Sequence, residues 1–349
     1  MNKIAILYLY SELVGYQIPI FKEYVSTYGA HVHVVSWDKN KLKPYIPPPI
    51  DGVVYYKRSK YTKSDLLALA NKINPDIIYV SGWMDKDYLY VTRLFVKDGI
   101  PVVAGIDDKW KGNFRQKVGS IVFPFMYKRY FTHAWVSGPQ QYEYAKRFGF
   151  SNNEIIFDFL SANTKVFYQD NIDLKTDKLN AFIYVGNFRA IKGTDILTEA
   201  YLLYKSKYRG SWKLICVGNG EHFELLNKID GIKLYPFCSE RKLIEISKAA
   251  SVFILPSRND QWGVVVQEFS CLGKALLLSE NVGARSTFFI NKYNGLMFKN
   301  NCAEDLAKKM FEFSEMNDVD LLKIQKNSRA LSLKMTPESS AANFLSIIL

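Results

Sequence analysis

Only four cysteines occur in this chain of 349 residues, Cys216, Cys238, Cys271 and Cys302, widely spaced and never in a Cys-x-x-Cys pair. They offer neither a disulfide framework nor a zinc site. Histidine is equally scarce. His31 and His33 alternate along a predicted strand, His133 begins another and His222 falls in a loop, so the four form no ligand cluster and no metal centre is expected. Long hydrophobic runs are missing too, since no uninterrupted apolar segment approaches the roughly 20 residues that span a bilayer. The opening run is short, lacks a small-residue cleavage site and meets Glu12 almost at once, which suits a first strand better than a secretion signal. A cytoplasmic location is the expectation, with no cofactor. Acidic residues are outnumbered, 34 against 46 basic, for a net charge of +12. No nucleic-acid-binding module accompanies that excess, so DNA and RNA are not expected partners.

What is present is ample core material, 48% hydrophobic, in a length that usually makes two domains. Predicted strands and helices alternate in two successive series, the pattern of parallel sheets covered by helices and hence of an α/β fold. The first series places strands at 3–9, 31–37, 53–57, 76–81, 101–105, 133–137 and 154–157. The second restarts near Asn180 with strands at 181–185, 212–217, 232–235, 252–255 and 275–279. The expected domains are 1–168 and 179–335, with the polar segment Gln169 to Lys178 as hinge and a last helix from about Thr336 crossing back to the first domain.

Chemistry concentrates in Pro256-Ser-Arg-Asn-Asp260-Gln-Trp-Gly263-Val264-Val265-Val-Gln-Glu268. A buried strand ends at Pro256, a loop reaches Gly263, and a helical pattern runs from Val264 to Leu272 with Gly273 as its stop. A helix opening at a glycine presents unpaired N–H groups and partial positive charge to an anion, and glycine lets a phosphate come close. Glu268, one turn in, suits two hydroxyls of a ribose, and Asp260 suits hydroxyls of a sugar, because a carboxylate accepts two hydrogen bonds. The plain alternative is a strand–loop–helix unit with solvated acids. Upstream, Ala181-Phe-Ile-Tyr-Val-Gly-Asn187-Phe-Arg189-Ala-Ile-Lys192-Gly193 reads as a strand, a basic loop and a helix start. Arg189 and Lys192 pair a planar fork with a compact charge, as phosphoryl groups require. Alone, they would pass for surface cations.

Together these segments resemble the retaining glycosyltransferases of family 4, whose second domain carries Val-Gly-Arg-Leu, then Lys-Gly, and later a Pro-Ser strand end followed by Glu, seven residues and Glu. Val217-Gly-Asn-Gly-Glu221, Val282-Gly283-Ala284 and Tyr293-Asn294-Gly295-Leu-Met-Phe298 extend the match over about residues 181–313. Two positions depart from the pattern: Asp260 stands where the first Glu is usual, and Asn187 where an Arg is usual. The resemblance implies a GT-B fold, two Rossmann-like domains facing across a cleft, and transfer of a sugar from a nucleoside diphosphate sugar, UDP before GDP, with the anomeric configuration retained. It also implies a glycan or polyprenyl-diphosphate-linked acceptor, as in cell-surface polysaccharide or glycoconjugate synthesis. Arg189, Lys192 and the Gly263 helix start would stabilise the leaving diphosphate, which itself takes the acceptor proton. Donor contacts are then expected from Gly15, Asp260, Gly263, Val264, Val265 and Glu268, without metal. Family members often place a His after the strand equivalent to 101–105, where this chain has Asp107-Asp108; Asp107 is the expected replacement, and helix capping by both aspartates is the alternative. Asp318-Val-Asp320 looks like the metal motif of the other glycosyltransferase fold, and its polar, late position marks it as coincidence. A non-catalytic subunit that binds a nucleotide sugar or glycan and supports a partner transferase is the competing function.

Charge is uneven. Residues 1–168 hold 22 Lys and Arg against 14 Asp and Glu, a net of +8. The densest cluster, Lys109 to Phe131, interleaves cations with aromatic rings, a mixture suited to peripheral contact with an anionic membrane and equally to a core helix with a solvated basic face.

Overall fold

The structure, a computed structural model, describes residues 3–39, 46–169 and 181–349. Of the polar segment read as the hinge, all but Gln169 lies outside the described residues. Two compact units emerge, Met1–Ser161 with Met335–Leu349, and Ala162–Lys334.

In the first unit seven strands are β1 (Ala5–Tyr10), β2 (His31–Ser36), β3 (Val53–Lys57), β4 (Ile77–Val80), β5 (Val102–Ile106), β6 (His133–Val136) and β7 (Ile155–Ile156). They form one sheet in the order β3-β2-β1-β4-β5-β6-β7, and every pairing is parallel. Strands such as Ile77–Val80 are buried at every position, as expected where helices cover both faces. The core is unusually aromatic. Tyr8 stacks on Tyr79 at 4.5 Å between ring centroids, and Trp135 meets Phe159 at 5.1 Å. The helix Pro337–Leu345, capped by Thr336, belongs to this unit. Its Phe344 ring lies 5.0 Å from Trp135, while Ser339 and Asn343 both donate to Asp158 Oδ2, at 3.0 and 3.1 Å.

The second unit holds β8 (Ala181–Val185), β9 (Lys213–Val217), β10 (Ile232–Tyr235), β11 (Val252–Leu255), β12 (Ala275–Ser279) and β13 (Gly295–Phe298), ordered β10-β9-β8-β11-β12-β13 and again all parallel. Gly295–Phe298 is a strand that the apolar pattern did not announce. Gly295 presses so closely on β12 that a Cβ there would fall 2.0 Å from Leu276 O. Residues 162–168 pack with this unit, not with the first. Ala162 N–H donates to Gln267 Oε1 at 2.7 Å, and the short helix Thr164–Phe167 lies against helix Val264–Cys271.

In each sheet the chain leaves its first strand toward one edge and later returns to the other side of it, so strand order reverses between β1 and β4 and between β8 and β11. Loops at the carboxyl ends of strands flanking such a reversal form the crevice where open α/β sheets bind ligands.

Candidate functional site

The two motif segments, some 70 residues apart in sequence, become neighbours because β8 and β11 pair directly at the reversal of the second sheet. The loop after β8 makes one 3-10 turn, Ala190–Lys192, and passes through Gly193 at φ +71°. Here only glycine fits: besides the left-handed backbone, a Cβ would sit 2.1 Å from Pro256 O, inside the strand end of the facing segment. Gly193→Ala is therefore expected to destabilise the protein by about 2–4 kcal/mol, read as a lower urea midpoint, because backbone on both sides would have to separate.

A second fastener was not foreseen from the sequence. Arg258 donates from Nη1 and Nη2 to the two carboxylate oxygens of Asp195, each at 2.7 Å, and from Nε to Asn301 Oδ1 at 2.7 Å. It also donates to Ala190 O, and its own N–H reaches Ile191 O at 3.0 Å. One arginine thus holds the basic loop to the β11 loop, and the paired Asp195 carboxyl is held below its usual range by that guanidinium. Nothing local in Pro-Ser-Arg marks a side chain whose partner lies on another helix.

Lys192 and Asp260, assigned separate tasks by the sequence, are a salt bridge: Lys192 Nζ lies 2.8 Å from Asp260 Oδ2. The buried Ser257 hydroxyl donates to the same oxygen at 3.0 Å. Asp260 is itself almost fully buried, and its backbone bridges to Val282, with Gly283 N–H on its carbonyl at 3.1 Å. Oδ2 is therefore occupied twice, and Oδ1 accepts nothing among the described residues. The ammonium has three protons and gives one to Asp260, so two remain for an anion. Arg189 is exposed, with no partner for its guanidinium among the described residues, and Asn187 is likewise exposed.

Beyond the loop the helix Val264–Cys271 begins at Gly263, whose φ of +92° needs glycine. Gly263 O takes the N–H of Val266 at 2.9 Å, leaving the amides of Val264 and Val265 as open donors at the positive end of the helix. The far end closes at Gly273, φ +65°, with Gly273 N–H on Ser270 O and Lys274 N–H on Phe269 O, each at 2.9 Å, a Schellman arrangement. Glu268 lies one turn in. Its carboxyl accepts no hydrogen bond among the described residues, and although part of the side chain stays open, surrounding protein pushes its pKa up to about 8, burial first and the charge of Glu240 second. A half-buried carboxyl without a donor is a costly group unless a ligand completes it.

In the first unit the loops at the corresponding reversal are stitched together, Ser11 N–H donating to Ser81 Oγ at 2.6 Å. Gly15 opens a 3-10 turn, Gly15–Gln17, that leads into helix Ile18–Tyr28. The amide of the fully buried Gln17 has neither its donor nor its acceptor atom satisfied among the described residues. Trp83, at the end of the next strand, turns into an aromatic cluster with Phe123 and Phe148 at 4.8 and 5.2 Å. Asp107 follows β5, its carbonyl held by Gln141 Nε2 at 3.1 Å. Its side chain has an open surface, yet crowding raises its pKa, with the Asp108 charge adding to the effect. The phenols of Tyr10, Tyr16 and Tyr79 lie near enough that the Asp107 charge pushes all three upward, beyond what burial does. Neither aspartate caps the next helix. Asn113 does, its side chain accepting from Gln116 N–H at 2.9 Å.

Three of the four histidines are engaged in structure: His33 Nδ1 lies 3.0 Å from Tyr56 OH, His133 Nδ1 2.8 Å from Thr132 Oγ1 and His222 Nδ1 2.7 Å from Thr194 Oγ1. Asp318 and Asp320 fall in the first turn of helix Asp318–Ser332, where acids complement the dipole. Among the described residues no group of His, Cys, Asp and Glu could hold a metal, and no helix is long and apolar enough to cross a membrane.

Comparison with known proteins finds similarity in the second unit. The model for glycosyl transferases group 1 matches residues 169–330. MJ1178, an uncharacterized glycosyltransferase of Methanocaldococcus jannaschii, is 27% identical over 189 residues, 53% of this chain and 51% of that protein, so the chain aligns with about half the length of this relative. Among solved structures, Anabaena HepE in complex with UDP superposes with a TM-score of 0.75 at 15% identity, covering 99% of this chain and 100% of that one. A glycosyltransferase of Rickettsia africae gives 0.74 at 16% identity, covering 99% and 98%. The likeness to both is one of fold, the GT-B class with two Rossmann-like sheets.

Proposed function

We propose that this chain, whose residues 169–330 match the model for glycosyl transferases group 1, moves a sugar from a nucleoside diphosphate sugar to a hydroxyl of a glycan or lipid-linked acceptor, with retention of configuration. The observation that carries this reading is the Glu268 carboxyl, raised to about 8 and unmet by any donor among the described residues, one turn behind the open amides of Val264 and Val265. A ribose diol would satisfy the carboxyl, and a diphosphate would satisfy the amides.

Lys192, steadied by Asp260, and Arg189 would add positive charge where the leaving diphosphate gains negative charge, the interaction that lowers the barrier when it strengthens in the transition state. Asp260 is then first a positioning residue for Lys192, with Oδ1 left for a sugar hydroxyl. Asp107, with its raised pKa, is the residue of the first unit proposed to contact an acceptor. UDP is the favoured donor nucleotide, supported by the fold neighbour crystallised with UDP.

The test is thermal unfolding of the purified chain against UDP, GDP, CMP and dTDP sugars, since a ligand at about 100 times its Kd stabilises by roughly 2.7 kcal/mol. A shift with one base and turnover with an acceptor are expected. A shift without turnover on any acceptor would instead favour a binding subunit, and no shift with any donor would remove the nucleotide-sugar site.

A further inference from the structure

The helix Phe114–Met126 exposes an apolar stripe that nothing among the described residues covers. Phe114, Val118, Ile121 and Phe125 are 82%, 42%, 68% and 81% exposed. At about 100° of rotation per residue they fall within an arc of about 60°, one line along the helix. Phe123 points the other way, buried and stacked on Phe148 at 4.0 Å, so the helix is seated on the first unit by its opposite side. Its start is fixed as well, Gln116 Nε2 donating to Lys109 O at 2.8 Å. The stripe is therefore held outward by the fold.

Charge identifies what meets it. Arg115 and Lys117, both exposed, flank the stripe on its two sides. Residues 109 to 142 include six cations and no acid; Lys109 is buried and Lys128 is paired with Glu154 at 2.8 Å, which leaves Lys111, Arg115, Lys117 and Arg129 exposed. A second copy of the chain is a poor occupant, because it would bring the same cations face to face, and a one-helix stripe is well short of the roughly 800 Å² per partner of a stable interface. A bilayer with anionic headgroups satisfies both features: rings and aliphatic side chains enter the headgroup–acyl boundary while the flanking cations stay on lipid phosphates.

We propose that the Phe114–Met126 helix is a docking surface for an anionic lipid bilayer, on which it lies in the plane of the membrane. This assignment stands apart from the transferase reading, since it uses no residue of the second unit, and would hold for a binding subunit equally.

Flotation of the full chain with phosphatidylcholine vesicles, with and without phosphatidylglycerol, tests it. Binding is expected to require phosphatidylglycerol and to weaken with salt. Phe114→Ser with Phe125→Ser should lower the partition coefficient by roughly tenfold or more at unchanged thermal unfolding, and Arg115→Ser and Lys117→Ser by roughly fivefold each. Phe114→Trp should show a blue-shifted emission on the same vesicles. Equal flotation of the wild type and the double Phe variant overturns the proposal, as does a wild type that binds no vesicle. So does self-association in sedimentation velocity that the double Phe variant abolishes, which would place a second copy on the stripe.

Discussion

Glu268→Gln is expected to make the protein more stable and less able to bind the proposed nucleotide. The sign follows from a folded pKa of about 8 against an ordinary 4.5. The folded state holds this proton more tightly than the unfolded chain, so the contribution is present in full below the unfolded pKa and is lost as pH rises through the folded one. Above pH 8 the wild type carries an ionised carboxylate in a poorly solvated place; the amide does not. A gain on the order of 2–4 kcal/mol for the variant at alkaline pH, shrinking toward zero in acid, is expected from urea melts across that range. Ribose hydroxyls donating to the carboxylate would pull its pKa down, so nucleotide binding near neutrality should release about one proton per site. Calorimetry in two buffers of different ionisation enthalpy measures that release. Binding without proton release, or unaltered in the variant, would place the ribose elsewhere.

Lys192→Ala is expected to lower turnover by about 10²–10³ while weakening the intact donor far less, because the ammonium is asked to meet charge that grows only as the diphosphate leaves. The salt bridge complicates the single variant. Without Lys192, Asp260 keeps only Ser257 on a nearly buried carboxylate, so the protein should also unfold earlier. Comparison with Asp260→Asn and the double variant separates the two effects. The double variant should recover stability relative to Lys192→Ala and remain as slow. Equal losses in binding and turnover would mean a cation that merely holds the substrate, and recovered turnover in the double variant would mean that Lys192 serves only as counter-ion to Asp260.

Much of this architecture could be read before any coordinates, for a physical reason. Strands buried on both faces spell themselves as short apolar runs, so twelve of the thirteen strands among the described residues are legible, while Gly295–Phe298, opened by a glycine, carries too little signal. The local geometry of the candidate site was legible where one stretch of chain suffices: a glycine before a helix, and a carboxylate one turn behind it. Contacts set by tertiary folding were not. The Lys192–Asp260 pair spans 68 positions and the Arg258–Asp195 fork 63, and no local pattern predicts such partners. The basic aromatic cluster fitted a core helix and an exposed one equally well, until Phe123 was seen to turn inward and Phe114 and Phe125 outward.

The helix Pro337–Leu345 has a bearing on how the chain is made. The first unit's aromatic core includes Phe344, which follows the entire second unit in sequence. During synthesis residues 1–161 must wait, with Tyr8, Tyr24 and Trp135 lacking that neighbour, while residues 162–334 have all they need to fold as soon as they emerge. The unit translated first is thus the one completed last, and a released chain ending at Lys334 should hold a mature second unit beside an unfinished first.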